Sequence, residues 1–151
     1  MSFTEGSYEN ALIALFENMG YQHLYGPDIE RDYHTPFYEE QVLNSLSTVN
    51  PDKPLAAIHE AIAKLKDIDT GSLTQKNEIF MDYLQHGIEV SYHDGKEQRN
   101  ELVYLIDYKN IRKNDFQIIN QWTFVEHSEK RADLIVFING LPLVVMELKS
   151  P

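Results

Sequence analysis

The chain has no cysteine, which excludes both a disulfide-stapled scaffold and a thiolate metal centre. It has no apolar run approaching the roughly 20 residues needed to cross a bilayer. Its first residues, Met1-Ser2-Phe3-Thr4-Glu5-Gly6, show neither the basic opening nor the apolar stretch of a secretory leader. A cytosolic (cytoplasmic) protein is the expectation. Cations are scarce, 13 Lys and Arg against 24 Asp and Glu, for a formal net charge of −11. Lys and Arg neutralising phosphates supply most non-specific affinity for nucleic acid, so this balance argues against a freestanding nucleic-acid binder. A DNA-acting domain of this charge must borrow its DNA contacts from elsewhere. No Gly-rich Walker segment is present, so nothing in these residues binds ATP. No repeat and no low-complexity segment interrupts the chain. The six histidines (His23, His34, His59, His86, His93 and His127) lack metal-ligand spacing and read as surface or half-buried side chains.

What is present is ordinary for a globular protein: 151 residues, 42% hydrophobic and 25% charged, one domain long enough to bury a core. Residues 7–19 read as an amphipathic helix with Ser7 as N-cap, Leu12, Ile13, Phe16 and Met19 on one stripe, and Gly20 as the stop. Residues 21–36 read as loop with short extended pieces. Helical spacing returns at Glu39–Ser47, Leu55–Leu65 and Gln75–Gln85, with Asn50-Pro51-Asp52-Lys53-Pro54 as punctuation. Strand patterns follow at Ile88–Tyr92, Glu101–Tyr108, Phe116–Val125, Ala132–Ile138 and Leu141–Leu148. Helices first and strands after make an α+β (mixed α/β) fold, with helices laid on one sheet. The last two strands are apolar on both faces, the mark of strands covered on both sides. The sequence then ends at Glu147-Leu148-Lys149-Ser150-Pro151, so the chain looks cut before its cover.

Asp133 opens one of these strands and Glu147 and Lys149 close the next. Glu147 and Lys149 are two apart in an extended segment and share a face. A plain two-residue Asn139-Gly140 loop sets Asp133 opposite Met146 and puts Glu147 on the other face. A three-residue loop with Gly140 in the left-handed bulge position, or another register of that parity, brings Asp133 and Glu147 together. The expectation is therefore a bulged turn. Two carboxylates and the carbonyl of Leu148 would then offer a hard-oxygen site suited to Mg²⁺, with Lys149 positioning the attacking water. The pattern alone fits a turn residue and two solvated strand-end charges equally well. Glu9 lies on the apolar side of the first helix, where a dipole-favoured first-turn carboxylate competes with a role in the site. Lys109, Arg112 and Lys113 form the one compact basic cluster, either a solvated loop or a phosphate contact for DNA.

The stretch Arg131-Ala-Asp-Leu-Ile-Val-Phe-Ile-Asn-Gly-Leu-Pro-Leu-Val-Val-Met-Glu-Leu-Lys-Ser-Pro151 resembles the signature of type I restriction enzyme R subunits, R-x-D-hydrophobic-N-G-L-P-L-hydrophobic-E-L-K. Leu105–Tyr108, Asn114–Phe116, Asn120-Gln121, Asn50-Pro51, Asn77 and Gly87–Val90 resemble the same family's run into its site. The likeness covers most of the chain and is most specific over its last 21 residues, Arg131 to Pro151. Ala132 departs from the proline the family often has before the aspartate. The resemblance implies the N-terminal nuclease domain of an R subunit, over 1–151, with a PD-(D/E)xK core sheet flanked by helices, a helical insertion at about 37–85, and an incomplete C-terminal end. It implies a Mg²⁺-dependent DNA endonuclease with Asp133, Glu147, Lys149 and Glu9 as catalytic residues, and Asp133, Glu147 and the Leu148 carbonyl as metal ligands. It further implies double-stranded DNA as substrate, modification (methyltransferase) and specificity subunits as partners, and ATP used only by later motor domains. The family's glutamine-tyrosine motif falls on a helix after the Lys strand, beyond Pro151. A non-catalytic docking domain of the same fold, or a small standalone nuclease such as a junction resolvase, are the rival readings.

Overall fold

The structure is a computed structural model describing residues 4–149. Met1, Ser2 and Phe3 of the leader reading, and Ser150 and Pro151 of the signature stretch, lie outside the described residues. The chain divides into two compact units. One comprises the residues up to Tyr38 together with those from Asp115 onward; the other is Glu39–Asn114. Among the described residues, no helix is long and apolar enough to cross a membrane.

The first unit begins with α1 (Glu5–Asn18), capped one turn earlier than the sequence suggested. Thr4 is the N-cap, and Ser7 is the third helical residue of a reciprocal capping box. Ser7 was the expected cap because its hydroxyl is a good acceptor; here it serves from inside the helix. Ile13 is buried, and Leu12 and Phe16 pack with it on Ile118, Leu134 and Val136, whereas Met19 is exposed past the helix end.

A four-stranded sheet follows, with order β1-β4-β5-β6. Its strands are β1 (Gln22–Tyr25), β4 (Phe116–Val125), β5 (Glu129–Ile138) and β6 (Leu141–Met146). β1 pairs parallel to β4, with Gln22 level with Gln117, and the other pairings are antiparallel. β5 carries the expected burial on both faces, but β6 does not. β6 is an edge strand of the described sheet, with Val144 and Val145 49% and 58% exposed. On the face away from α1, Ile119, Trp122, Ala132, Ile135 and Phe137 form a second buried cluster.

The unit Glu39–Asn114 contains α2 (Glu39–Val49), α3 (Leu55–Lys66), α4 (Leu73–His86), and a hairpin of β2 (Ile88–His93) with β3 (Gln98–Val103). Among the described residues the strands therefore form two sheets, not one. β3 starts and ends earlier than expected, because Ile88 pairs with Val103 and fixes the hairpin register there. Leu105, though buried, lies beyond the ladder. Asn50 is the polar pin of this unit. Its Nδ2 donates to the Leu46 and Tyr104 carbonyls (2.9 and 2.8 Å), and its Oδ1 accepts from the Tyr104 amide at 2.8 Å. Asn50 is only 2% exposed, so water cannot replace it. Asn50→Ala is expected to lower stability by about 2 kcal/mol, since orphaned polar groups cost about 1–3 kcal/mol each; urea unfolding would measure this.

Candidate active site

The β5–β6 hairpin has the parity that sequence analysis required, reached by another register and not by the expected bulged turn. Asn139 and Gly140 both adopt left-handed conformations (φ 53° and 78°), and Ile138 pairs directly with Leu141. This is the two-residue loop, with positive φ at both central positions as its hairpin geometry requires. Asn139 is fully buried and accepts such a backbone because both its ends are anchored. Its amide donates to the Asp115 carbonyl and its Oδ1 accepts from the Asp115 amide, each at 2.8 Å.

The bulge lies in the strand instead of the turn. Val136 pairs with Val144 and Phe137 with Pro142, so Leu143 is the extra residue on β6. One added residue reverses the parity that the tight loop alone would give. The ladder then continues through Ile135 with Val145 and Leu134 with Met146. β6 ends at Met146, and the same register carried one step further would set Glu147 level with Asp133, on one face of the sheet. Beyond the last ladder pair, the Leu148 amide donates to Asp133 Oδ2 at 2.7 Å. Asp133 is half-buried, while Glu147 and Lys149 are exposed. Leu148 packs with Met146 in the α1-side cluster, and extended alternation assigns Glu147 and Lys149 to the opposite face.

A second irregularity sits on the other side of Asp133. β4 pairs with β5 through Asn120–Leu134 and Trp122–Ala132, which leaves Gln121 level with Asp133. Gln121 has φ 55°, in the left-handed region. Its effect on alternation is plain: Trp122 packs in the cluster of Ile119, not that of Ile118 as strict alternation would require. Gly26, just after β1, lies against this kink. A Cβ there would stand 2.4 Å from the Gln121 carbonyl oxygen and 2.8 Å from that of Asn120.

Glu9, on α1, reaches this kink. Its Oε1 accepts from Asn120 Nδ2 at 2.5 Å and its Oε2 from Gln121 Nε2 at 2.9 Å. With its NH₂ committed to a carboxylate, Asn120 turns its Oδ1 toward His23, whose Nε2 lies 2.8 Å away and must carry the proton. Nearby, the Arg31 guanidinium donates to the Thr123 carbonyl and lies 3.4 Å over the Trp122 ring and 4.7 Å over the Tyr33 ring. Burial lowers its pKa, and the two ring faces offset part of the desolvation.

Asp133, Glu147, Leu148, Lys149 and Glu9 all belong to one unit, while Lys109, Arg112 and Lys113 belong to the other. Those three are exposed around the short 3-10 turn Ile111–Lys113. Among the described residues no three His, Cys, Asp or Glu side chains are grouped to hold a metal ion, so Glu9, Asp133 and Glu147 do not converge as a ready-made ligand triad. Sequence analysis gave Asn120-Gln121 only as part of the family's run into its site, and His23 only as a surface or half-buried side chain. The signal was there in two adjacent amides interrupting the apolar run Ile118-Ile119 and Trp122 of a buried strand.

The match to known proteins falls on this whole framework. The family model described as "Type I restriction enzyme R protein N terminus (HSDR_N)" matches residues 2–151. The type I restriction enzyme HindI endonuclease subunit of Haemophilus influenzae is 29% identical over 97% of this chain, which spans 15% of that protein. The type I restriction enzyme EcoprrI endonuclease subunit of Escherichia coli is 30% identical over 97% of this chain and 44% of its own length. The chain belongs to the family of type I restriction enzyme R protein N-terminal regions.

Proposed function

We propose that this chain is the Mg²⁺-dependent DNA endonuclease module of a type I restriction R subunit, with a PD-(D/E)xK core. The observation that carries the reading is the coupling of Asp133 to the end of β6. The Leu143 bulge gives β6 the register that, continued one step past Met146, would set Glu147 level with Asp133, and the Leu148 amide bonds the Asp133 carboxylate at 2.7 Å. Only a bulge or an equivalent shift gives that parity, and a pair of solvated strand-end charges has no need of it.

Asp133, Glu147 and the Leu148 carbonyl would hold the ion. The donor set fits: hard oxygens only, few enough to leave coordination positions for water and a DNA phosphate, as Mg²⁺ prefers. When bound, Mg²⁺ supplies an acidified water and neutralises charge on the phosphate. Lys149, exposed beside Glu147, orients the attacking water and offsets the negative charge that develops as its oxygen bonds to phosphorus. The P–O bond to the departing sugar oxygen then breaks. Double-stranded DNA is the substrate, and ATP-driven motor domains together with modification and specificity subunits hold and deliver it. That division of labour reconciles a nuclease with a net charge of −11.

The chain by itself is therefore expected to bind duplex DNA weakly while retaining a measurable affinity for Mn²⁺. Asp133→Asn and Glu147→Gln should each weaken Mn²⁺ binding by at least about tenfold, the scale on which altered metal shells act. Manganese titration by paramagnetic resonance reads the metal arm, and a labelled duplex at several salt concentrations reads the DNA arm. Mn²⁺ affinity indifferent to both substitutions would remove Asp133 and Glu147 from the metal site. Tight, salt-sensitive duplex binding by the chain would show that the DNA contacts lie within it.

A further inference from the structure

The first-helix glutamate was expected among the catalytic residues, but its contacts describe a different office. Both carboxylate oxygens are taken by amides, one by Asn120 and one by Gln121. α1 packs on the sheet face of Leu134, Met146 and Leu148, the face opposite the one that extended alternation assigns to Glu147 and Lys149. No group of three acidic or histidine ligands includes Glu9 among the described residues. We infer that Glu9 is a positioning residue: clamped by Asn120 and Gln121, it locks the left-handed kink of β4 opposite Asp133 and so fixes where the Asp133 carboxylate stands.

The energetics favour a lock over a simple fastening of helix to sheet. A non-glycine residue in the left-handed region costs roughly 1–2 kcal/mol. A hydrogen bond to a charged group returns about 1.5–3 kcal/mol, so the two amide–carboxylate bonds can hold Gln121 where it would not stay unaided. Fastening α1 to the sheet would need neither the kink nor Gln121, since Asn120 on a straight strand could donate to Glu9 alone. The kink is also supported from beneath, by a glycine where any side chain would collide with the Asn120 and Gln121 carbonyls. His23 completes the arrangement by fixing which way the Asn120 amide points, and Asn120 is only 8% exposed, so no water need share it. Strain of this kind persists where surrounding groups over-determine it, commonly at functional sites.

This inference rests on the nuclease reading for its catalytic consequence, but its structural part can be tested separately. In the full-length R subunit assembled with its partner subunits, Glu9→Gln sets an amide NH₂ against one of the two donors. Cleavage in Mg²⁺ is expected to slow about ten- to a hundredfold, the usual scale for groups that orient metal ligands. Hydrogen exchange in the peptides spanning Asn120–Trp122 and Ala132–Leu134 should quicken by about tenfold as the kink loosens. The exchanged pair Glu9→Gln with Gln121→Glu restores donor to acceptor at the same net charge, and both readouts should recover. Slowed cleavage with unchanged exchange and no recovery in the pair would overturn the inference and make Glu9 a ligand to the metal or its waters. Unchanged cleavage in Glu9→Gln would overturn it too. Asp133→Asn run alongside separates the two levels: full cleavage by that variant defeats the nuclease reading, while the exchange measurement still decides whether Glu9 holds the kink.

Discussion

Asp133→Asn in the full-length R subunit is expected to lower DNA cleavage by at least about a thousandfold, at the upper end of what one electrostatic partner of a transition state contributes. The asparagine keeps an oxygen that can accept the Leu148 amide, so the β5–β6 junction should survive and only the charge is lost. Glu147→Ala and Lys149→Ala should be as damaging, since they remove a proposed metal ligand and the water-orienting cation, and both side chains are exposed, so the fold should be spared. ATP hydrolysis by the same preparations should continue, since the proposed motor is a separate part of the protein. Asp133→Ala adds a structural cost of about 1 kcal/mol for the missing acceptor. Cleavage of a plasmid substrate beside phosphate release from ATP reads both activities. Joint loss of the two in Asp133→Asn would identify a folding role in place of a chemical one.

Gly26→Ala should strongly destabilise the first unit. The new Cβ meets the Gln121 carbonyl oxygen at 2.4 Å, the Asn120 oxygen at 2.8 Å and the Gln121 carbonyl carbon at 2.9 Å. All three are backbone atoms and none can swing aside, so either β1 separates from β4 or the kink moves. Overpacking of this kind costs about 1–3 kcal/mol, and here the upper end is expected. For a unit of this size that is a melting-temperature loss of roughly 10 °C or more. Gly6→Ala is the fitting comparison. It lies in α1 with only the Thr4 hydroxyl oxygen within reach, at 3.9 Å, and should stabilise the helix by up to about 1 kcal/mol. Circular dichroism melts of the two variants should therefore move in opposite directions; a neutral Gly26→Ala would mean that the strands tolerate separation there.

How much of this was legible depends on where each feature's cause lies. α2, α3 and β4 could be placed because their apolar spacing is local and strong; β4 matches Phe116–Val125 to the residue. β1 could not be placed. Gln22-His23-Leu24-Tyr25 has no alternation of its own and becomes a strand only by lying parallel to residues far along the chain, from Gln117 to Asn120. Asp133, Glu147 and Lys149 stood out as charges at the ends of apolar strands, and the need for a parity change was deducible from loop length alone. Its position was not. A sequence shows that one residue too many must be absorbed, but whether the turn or the strand absorbs it depends on packing, and here Asn139 is so well anchored by Asp115 that the strand gives way at Leu143. The Glu9 clamp was hidden for a similar reason: its donors lie more than a hundred residues away, separations of 111 and 112.

The irregularity in β6 has a second effect, on the outer rim of the sheet. A rim strand offers a row of free amide hydrogens and carbonyls on which another molecule's strand can be built, and exposed valines such as Val144 and Val145 make such growth more favourable. Pro142 brings no amide hydrogen to that row, and Leu143 beside it buckles the backbone out of line. What remains straight is Val144–Met146, too short to seed a cross-molecule ladder, where strands usually run about five or six residues. One displaced leucine thus sets the register in which β6 runs toward Glu147 and also breaks the straight outer rim of the described sheet.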